Sequence, residues 1–216
     1  MEIPTFKRVP RHLGLIPDGN RRWATRNGLP KEAGYEKGMN PGFEAFELCG
    51  ELGIEELTIY GYTQDNTKRP AAQTRAFQKA CVEVVQGIAR MDAAILVVGN
   101  TESPLFPEEL LSFARERRVF GKGSLRVNFL INYGWLWDLS KASGSHSLVN
   151  GLASREVSRI DLILRWGGRR RLSGFLPVQS VYADIFVFDD FWPEFRPEHL
   201  YEALSWYEVQ DVTLGG

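Results

Sequence analysis

The sequence alternates short apolar runs with amphipathic segments, and this alternation constrains the fold more than any other feature. Apolar runs with the length and composition of strands occupy residues 12–16, 57–62, 93–98, 125–131, 160–164 and 185–188. Helical spacing of apolar residues occurs in 32–53, 70–91, 107–118 and 198–209. We find no internal repeat and no second-domain boundary. The pattern predicts an α/β fold in a single domain, 1–216, with a mainly parallel sheet flanked by helices.

Composition narrows the class of protein. The chain has 44% hydrophobic and 25% charged residues, which is typical of a globular domain, and its net charge of -1 gives no general affinity for nucleic acid. No run approaches the roughly 18 apolar residues of a membrane span, and residues 1–11 contain no apolar leader. Cys49 and Cys81 lack metal-ligand spacing. We expect a cytoplasmic protein with reduced thiols and no membrane span.

Polar clusters follow several of the predicted strands, at residues 18–22, 63–69, 132–134 and 165–173. In a parallel sheet the carboxyl ends of the strands meet at one edge, where ligands bind. The four clusters therefore predict one site.

The first cluster has the composition of a phosphate site. Asp18-Gly19-Asn20 forms a turn between a strand and a helix, followed by Arg21 and Arg22. Backbone N–H groups at such a turn and the arginines bind phosphate, and a carboxylate among them suggests a bridging divalent cation. A strand–turn–helix with a solvated basic face is the alternative.

The fourth cluster combines glycines with arginines and a serine. Arg165, Arg171 and Ser173 can bind a second phosphate group, since arginine binds phosphate with two parallel hydrogen bonds. Asp184 supplies a carboxylate just before the next strand, where it can also be a capping residue. A basic RNA-binding patch is the remaining alternative for the arginines.

Together these segments resemble the cis-prenyltransferase family, that of undecaprenyl diphosphate synthase. The motifs that carry the resemblance are D-G-N-R-R-W-A (18–24), L-T-I-Y-G-Y-T-Q-D-N-T-K-R-P (57–70), N-Y-G (132–134), D-L-I-L-R-W-G-G-R-R-R-L-S-G-F (161–175) and Y-A-D-I-F-V-F-D-D-F-W-P-E-F (182–195). The resemblance implies a six-stranded, mostly parallel sheet, a homodimer, and Mg²⁺-dependent condensation of an allylic diphosphate with isopentenyl diphosphate.

The resemblance also implies roles for individual residues. Asp18 binds Mg²⁺ and helps the allylic diphosphate to leave, and Asp184 takes the place of a metal-binding glutamate. The first diphosphate is held by Gly19, Asn20, Arg21 and Arg22, with Arg69 nearby. The second is held by Arg165, Arg171 and Ser173.

The sequence departs from the family pattern at residues expected to surround the acceptor, which is isopentenyl diphosphate in the family. Thr63-Gln64-Asp65-Asn66-Thr67 stands where the family has Ser-Thr-Glu-Asn-Trp, Arg169 reverses a charge, Tyr35 replaces a histidine, and Trp166 and Arg169 are expected to rebuild the wall opposite that loop. The chain is also short. It is therefore similar to irregular members, the lavandulyl and cyclolavandulyl diphosphate synthases, which join two dimethylallyl diphosphates head-to-middle to a branched C10 product, with or without cyclisation. Asp65 is the expected base or proton relay, working through Thr63 or Thr67.

Three alternatives stay open at this point. The chain can be a regular short-chain cis-prenyltransferase that uses isopentenyl diphosphate, or a non-catalytic partner subunit that has lost activity. An RNA-binding protein that contacts the phosphate backbone is the remote third.

Overall fold

One seven-stranded sheet forms the centre of the protein, in the strand order β4-β3-β5-β2-β1-β6-β7. The computed structural model describes residues 3–143 and 147–211. The strands are β1 (His12–Ile16), β2 (Glu56–Tyr60), β3 (Ala93–Val98), β4 (Arg118–Phe120), β5 (Leu125–Leu130), β6 (Leu162–Arg165) and β7 (Asp184–Val187).

Eight α-helices accompany the sheet within the described residues. They are α1 (Asn20–Arg26), α2 (Ala33–Lys37), α3 (Met39–Glu51), α4 (Ala71–Ile88), α5 (Leu111–Arg115), α6 (Trp135–Lys141), α7 (Leu148–Gly151) and α8 (Pro197–Tyr207). Short 3₁₀ turns lie at Gln64–Lys68, Glu108–Leu110 and Trp192–Glu194. Over the stretches of chain described, no helix is both long and apolar enough to cross a bilayer.

The central strands are mainly apolar because both faces of the sheet are covered. Every residue of β1, β2 and β3 is buried. The larger core lies under α3, α4 and α8, and the smaller one, on the other face, contains residues such as Tyr60, Tyr133 and Phe175. All neighbouring strands run parallel except β3 and β4. The α/β expectation is confirmed.

Two details differ from expectation. The predicted helix 107–118 ends at Arg115, and Arg118–Phe120 forms a seventh strand at the sheet edge, antiparallel to β3. This strand has only three residues, with Val119 64% exposed, so it lacks the apolar run that marks a covered strand. The predicted helix 32–53 divides into α2 and α3 at Gly38, whose Cβ, if present, would lie 2.4 Å from Asn20 Oδ1. That close approach packs α2 and α3 against the residues that follow β1.

Candidate active site

The carboxyl ends of β1, β2 and β6 open into one cleft of about 910 Å³. The cationic side chains that line it are Arg21, Arg22, Arg26, Lys31, Arg69, Arg165, Arg169 and Arg171. Only two carboxylates, Asp18 and Asp65, are among the described lining residues. A concave site with this excess of guanidinium groups is suited to ligands that carry several negative charges, such as diphosphates. The first, second and fourth polar clusters of the sequence therefore meet as predicted.

The turn after β1 places Asp18 at the floor of the cleft. Gly19 has a φ of 102°, a left-handed conformation that glycine adopts without strain, and its N–H donates to Asp18 Oδ1 at 2.6 Å. Asn20 then begins α1. Its Nδ2 donates to the Pro17 carbonyl at 2.9 Å, while its buried Oδ1 has no hydrogen-bond partner among the described residues. Asn20 thus lines the cleft, while this Oδ1 is buried against Gly38.

Two arginines from different clusters bind Asp18. Arg165 Nη2 donates to Asp18 Oδ2 at 2.8 Å, and Arg22 Nη2 lies 3.3 Å from Oδ1. Burial by itself raises the pKa of the Asp18 carboxyl, but the hydrogen bond and charge of Arg165, with Arg22, outweigh burial and hold the pKa below its ordinary value. The carboxylate is ionised at neutral pH and lies between two groups of arginines. The first group is Arg21, Arg22 and Arg69, and the second is Arg165 and Arg171.

Arg165 is the buried centre of the second group. Its side chain is 4% exposed, and its Nη1 donates to the Arg171 carbonyl and, at 3.0 Å, to Ser173 Oγ. Its Nε has no partner among the described residues. The Arg171 side chain is exposed on the cleft rim, where it is free to meet a ligand. Arg165, Arg171 and Ser173 thus form one group, as predicted.

Hydrogen bonds to residues outside the Asp18–Asn20 turn hold the arginines of the first group in place. Arg22 Nη1 donates to the Gly167 carbonyl at 2.7 Å, and Arg21 Nη1 donates to Gln73 Oε1 at 3.2 Å. Arg69 Nη1 donates to the Tyr35 hydroxyl at 2.8 Å. These contacts hold the guanidinium groups along the cleft before any ligand is bound.

The loop after β2 brings Thr63 and Asp65 into the cleft lining, but not Thr67. Asp65 is exposed and pairs with Lys68 at 2.7 Å. Thr67 Oγ1 donates instead to the Gln64 carbonyl at 2.7 Å, within the 3₁₀ turn. The proton-relay role expected of Thr67 gains no support from this position, because its hydroxyl stabilises the turn outside the cleft lining. Asp65 and Thr63 remain candidates.

An apolar compartment of about 60 Å³ adjoins the cleft. Both cavities are lined by Pro17, Asn20, Tyr35, Gly61 and Phe77. The Tyr35 and Phe77 rings stack with centroids 4.5 Å apart and an interplanar angle of 8°. This aromatic pair lies between the polar cleft and the apolar compartment, which has room for a short hydrocarbon tail.

Asp184 lies at the wrong end of its strand for the predicted metal site. It is level with Leu162 and, across β6, with Leu13, at the amino ends of these strands. Asp18 follows the carboxyl end of β1, and at least three residues of strand, about 10 Å, separate the two levels. The expectation that Asp184 and Asp18 of one chain share an ion is therefore wrong.

Trp166 also lies elsewhere than expected. Its ring is fully buried against Phe188 and Trp192, and its Nε1 donates to His199. It supports the core instead of rebuilding the cleft wall, and Arg169 alone of this pair lines the cleft.

Several residues of the cleft were not predicted from the sequence, among them Phe191, Tyr60 and Lys31. Phe191 lies beneath Arg22 and Arg26, whose guanidinium carbons are 5.0 and 4.8 Å from its ring centre. Tyr60 and Lys31 also line the cleft. Tyr60 lies in the predicted strand 57–62, two residues before its end and close to the predicted polar loop, which was the one signal for it in the sequence.

Comparison with known proteins agrees with this geometry. The family model described as putative undecaprenyl diphosphate synthase matches residues 16–215. An isoprenyl transferase of Leptospira interrogans is 30% identical over 96% of this chain and 95% of its own length. A ditrans,polycis-undecaprenyl-diphosphate synthase ((2E,6E)-farnesyl-diphosphate specific) of Vibrio parahaemolyticus is 28% identical over 96% of this chain and 91% of its own length.

The fold is also similar to a solved structure. The crystal structure of lavandulyl diphosphate synthase from Lavandula x intermedia in complex with dimethylallyl diphosphate superimposes with a TM-score of 0.83 at 19% identity, covering 96% of this chain and 98% of that one. The similarity confirms the fold of one α/β domain. The family match over residues 16–215 shows that the chain belongs to the undecaprenyl diphosphate synthase family, the cis-prenyltransferases.

Proposed function

We propose that this prenyltransferase joins two dimethylallyl diphosphates head-to-middle to a branched C10 diphosphate of the lavandulyl type. The observation that carries the proposal is the division of the site into a large cationic cleft and a small apolar compartment, with the Tyr35–Phe77 pair between them. The cleft suits two diphosphate groups, and the compartment suits a tail of few carbons. The similar fold of a lavandulyl diphosphate synthase supports the same choice.

The two groups of arginines would hold the two diphosphates. Arg21, Arg22 and Arg69 face the first, with Gly19 and Asn20 in the turn below, and the Arg165 group faces the second. Breaking the C–O bond of the donor leaves an allylic cation and a diphosphate leaving group, whose charge the guanidinium groups neutralise. The apolar compartment keeps water from the cation.

Mg²⁺ fits the donor set of the cleft. The ion is commonly bound through one or two carboxylates together with substrate phosphate oxygens, and Asp18 offers one ionised carboxylate at the cleft floor. The described residues contain no cluster of three or more histidine, cysteine or acidic side chains that would hold a metal without substrate. When bound with substrate, Mg²⁺ would supply further charge neutralisation on the leaving diphosphate.

The coupling step also requires loss of a proton. Carbon 1 of the donor cation bonds to the internal alkene carbon of the acceptor, which leaves a tertiary cation, and a proton then leaves an adjacent carbon to restore a double bond. Asp65 lines the cleft as an exposed carboxylate and is the proposed acceptor of that proton, with the Thr63 hydroxyl nearby. Cyclisation would need one more proton movement in the same cleft.

We further propose a homodimer. Strand β7 is the last strand of the sheet and exposes Ile185 at 40%, and the segment leading into it exposes Val181 at 68% and Tyr182 at 54%. An uncovered apolar strand edge favours association with a second copy. The cytoplasmic location stays a prediction.

A regular short-chain activity is the second candidate, favoured by curated relatives that are named undecaprenyl-diphosphate synthases. The test is incubation with Mg²⁺ and dimethylallyl diphosphate, with and without isopentenyl diphosphate, followed by mass spectrometry of the dephosphorylated alcohols. A branched C10 alcohol from dimethylallyl diphosphate alone is the expected result, lost on adding EDTA. A linear product that requires isopentenyl diphosphate would favour the second candidate, and no product under either condition would favour a non-catalytic subunit.

Asp65→Asn tests the proton step with Lys68→Met as its control, because Lys68 is the ion-pair partner of Asp65 and does not line the cleft. We expect Asp65→Asn to reduce or redirect the product while affinity for a non-reactive thio-analogue of dimethylallyl diphosphate stays within a few-fold. Equal turnover in wild type and Asp65→Asn would remove Asp65 from the mechanism.

A further inference from the structure

Ser173 holds a backbone conformation that costs free energy. Its φ is 54°, in the left-handed region that residues with a Cβ rarely adopt. Gly174 and Leu176 also have positive φ, at 81° and 33°. A non-glycine residue persists in this region only where surrounding contacts hold it. The contacts around Ser173 therefore decide the shape of the loop that carries Arg171 and Ser173, two of the residues proposed to bind the second diphosphate.

Two residues from different strands hold Ser173. Arg165 Nη1 donates to its Oγ at 3.0 Å, and the Tyr60 hydroxyl donates to its backbone carbonyl at 2.9 Å. Arg165 ends β6 and Tyr60 ends β2, with β1 lying between these strands in the sheet. The Tyr60 hydrogen bond thus spans the cleft floor and joins the β2 side of the cleft to the Ser173 loop.

The Tyr60 side chain is rigid. It is 9% exposed, and its ring packs against Phe175 at 5.2 Å and edge-on against Tyr133 at 6.4 Å. The Tyr133 hydroxyl in turn donates to the buried carboxylate of Asp138 at 2.8 Å. Burial raises the pKa of the Tyr60 phenol, so the hydroxyl is protonated at neutral pH and can donate.

We infer that Tyr60 is a positioning residue for the second diphosphate. Its hydroxyl fixes the Ser173 carbonyl, and through it the Ser173 and Arg171 groups that face the ligand. Because Tyr60 acts through the Ser173 loop, its loss should weaken diphosphate binding at the second site and leave the affinity of the first site unchanged. The inference rests on the proposed two-diphosphate function, whose second site it refines.

The neighbouring Tyr62 provides a matched control. It lies two residues further along the chain, is fully buried, and its hydroxyl has no hydrogen-bond partner among the described residues. It lines neither of the two cavities. Tyr60→Phe and Tyr62→Phe each remove one buried phenolic oxygen, and only the first removes the contact with Ser173.

The experiment is a calorimetric titration of the full chain with inorganic diphosphate, for wild type, Tyr60→Phe, Tyr62→Phe and Arg171→Ala. We expect wild type to bind two equivalents, and Tyr60→Phe to lose about five- to tenfold in affinity at the site that Arg171→Ala also weakens, as for one hydrogen bond. Combining Tyr60→Phe with Arg171→Ala should cost less than the sum of the two, because they act on the same loop. In turnover, Tyr60→Phe should raise the apparent KM for dimethylallyl diphosphate more than it lowers kcat.

Three results would overturn the inference. They are equal effects of Tyr60→Phe and Tyr62→Phe, a lowered thermal midpoint in Tyr60→Phe with unchanged diphosphate affinity, and additive losses with Arg171→Ala. Binding of a single equivalent by wild type would contradict the two-diphosphate function instead. The role of Tyr60 would then still be read from whether that one affinity falls in Tyr60→Phe.

Discussion

The buried guanidinium of Arg165 donates to the carboxylate of Asp18 across 2.8 Å, although 147 positions separate the two residues in the chain. This ion pair is the point at which the two groups of arginines meet. A metal ion or a diphosphate that engages Asp18 has to share it with Arg165 or displace it. The pair therefore couples the two proposed diphosphate sites.

Asp18→Asn should reduce turnover by about 100-fold or more, because the amide keeps the shape of the side chain but loses the charge that binds a cation. Circular dichroism should show an unchanged fold. Asp189→Asn, which changes an exposed carboxylate outside the cleft lining, is the control and should retain activity. Near-normal turnover of folded Asp18→Asn would remove the central assignment.

Arg171→Ala should weaken binding of the acceptor diphosphate by about tenfold, as expected for loss of a charge-assisted hydrogen bond. Arg170→Ala is the matched control, because Arg170 is the exposed neighbour that does not line the cleft. Calorimetric titration with the thio-analogue of dimethylallyl diphosphate, which should occupy both sites, measures the two affinities as two binding steps. Similar losses in both variants would indicate a general effect of charge and not a specific site.

Phe77→Ala should let longer prenyl tails into the site, because it removes one ring of the pair between the cleft and the apolar compartment. We expect the affinity for a geranyl thio-analogue to rise relative to that for the dimethylallyl one. Phe43→Ala removes an equally half-buried ring that lines neither cavity and controls for lost packing. If Phe77→Ala is too unstable to purify, Phe77→Leu tests the same point, and an unchanged preference in these variants would contradict it.

Stability should fall as the pH drops below about 6.5, the ordinary pKa of histidine. Burial lowers the pKa of His12, against the opposing charge of Glu56, and burial also lowers that of His199, against its hydrogen bond with Asp190. Below pH 6.5 the unfolded chain binds protons at these histidines, whereas the folded state keeps both rings neutral. Their contribution to the free energy of unfolding is therefore complete above pH 6.5 and is lost as the pH falls below it. Thermal midpoints at pH 7.5 and 5.5 measure the effect.

The matching variant is His12→Asn, whose thermal midpoint should differ less between pH 7.5 and pH 5.5 than that of the wild type. The carboxylates of Asp18 and Glu56 have lowered pKa values, so their contributions to stability are lost at more acidic pH, outside this window. A midpoint that is equal at pH 7.5 and 5.5 would show that neither ring is held neutral.

Local pattern in the sequence was enough for the fold class and for much of the site. Strands buried on both faces are mainly apolar, so β1, β2 and β3 are visible as runs, whereas β4 is a three-residue edge strand and is not. The polar clusters after β1, β2 and β6 could be placed together because parallel strands end at one edge.

Tertiary structure decided what each polar side chain faces. Asp184 was misplaced because a carboxylate beside an apolar run does not reveal at which end of the strand it lies until the register with β6 is known. Trp166 was misplaced because an aromatic residue next to a basic loop can pack on either side of the sheet, and here it enters the core. The Arg165–Asp18 and Tyr60–Ser173 contacts join distant segments, and such contacts depend on strand order and backbone conformation, which local sequence patterns do not encode.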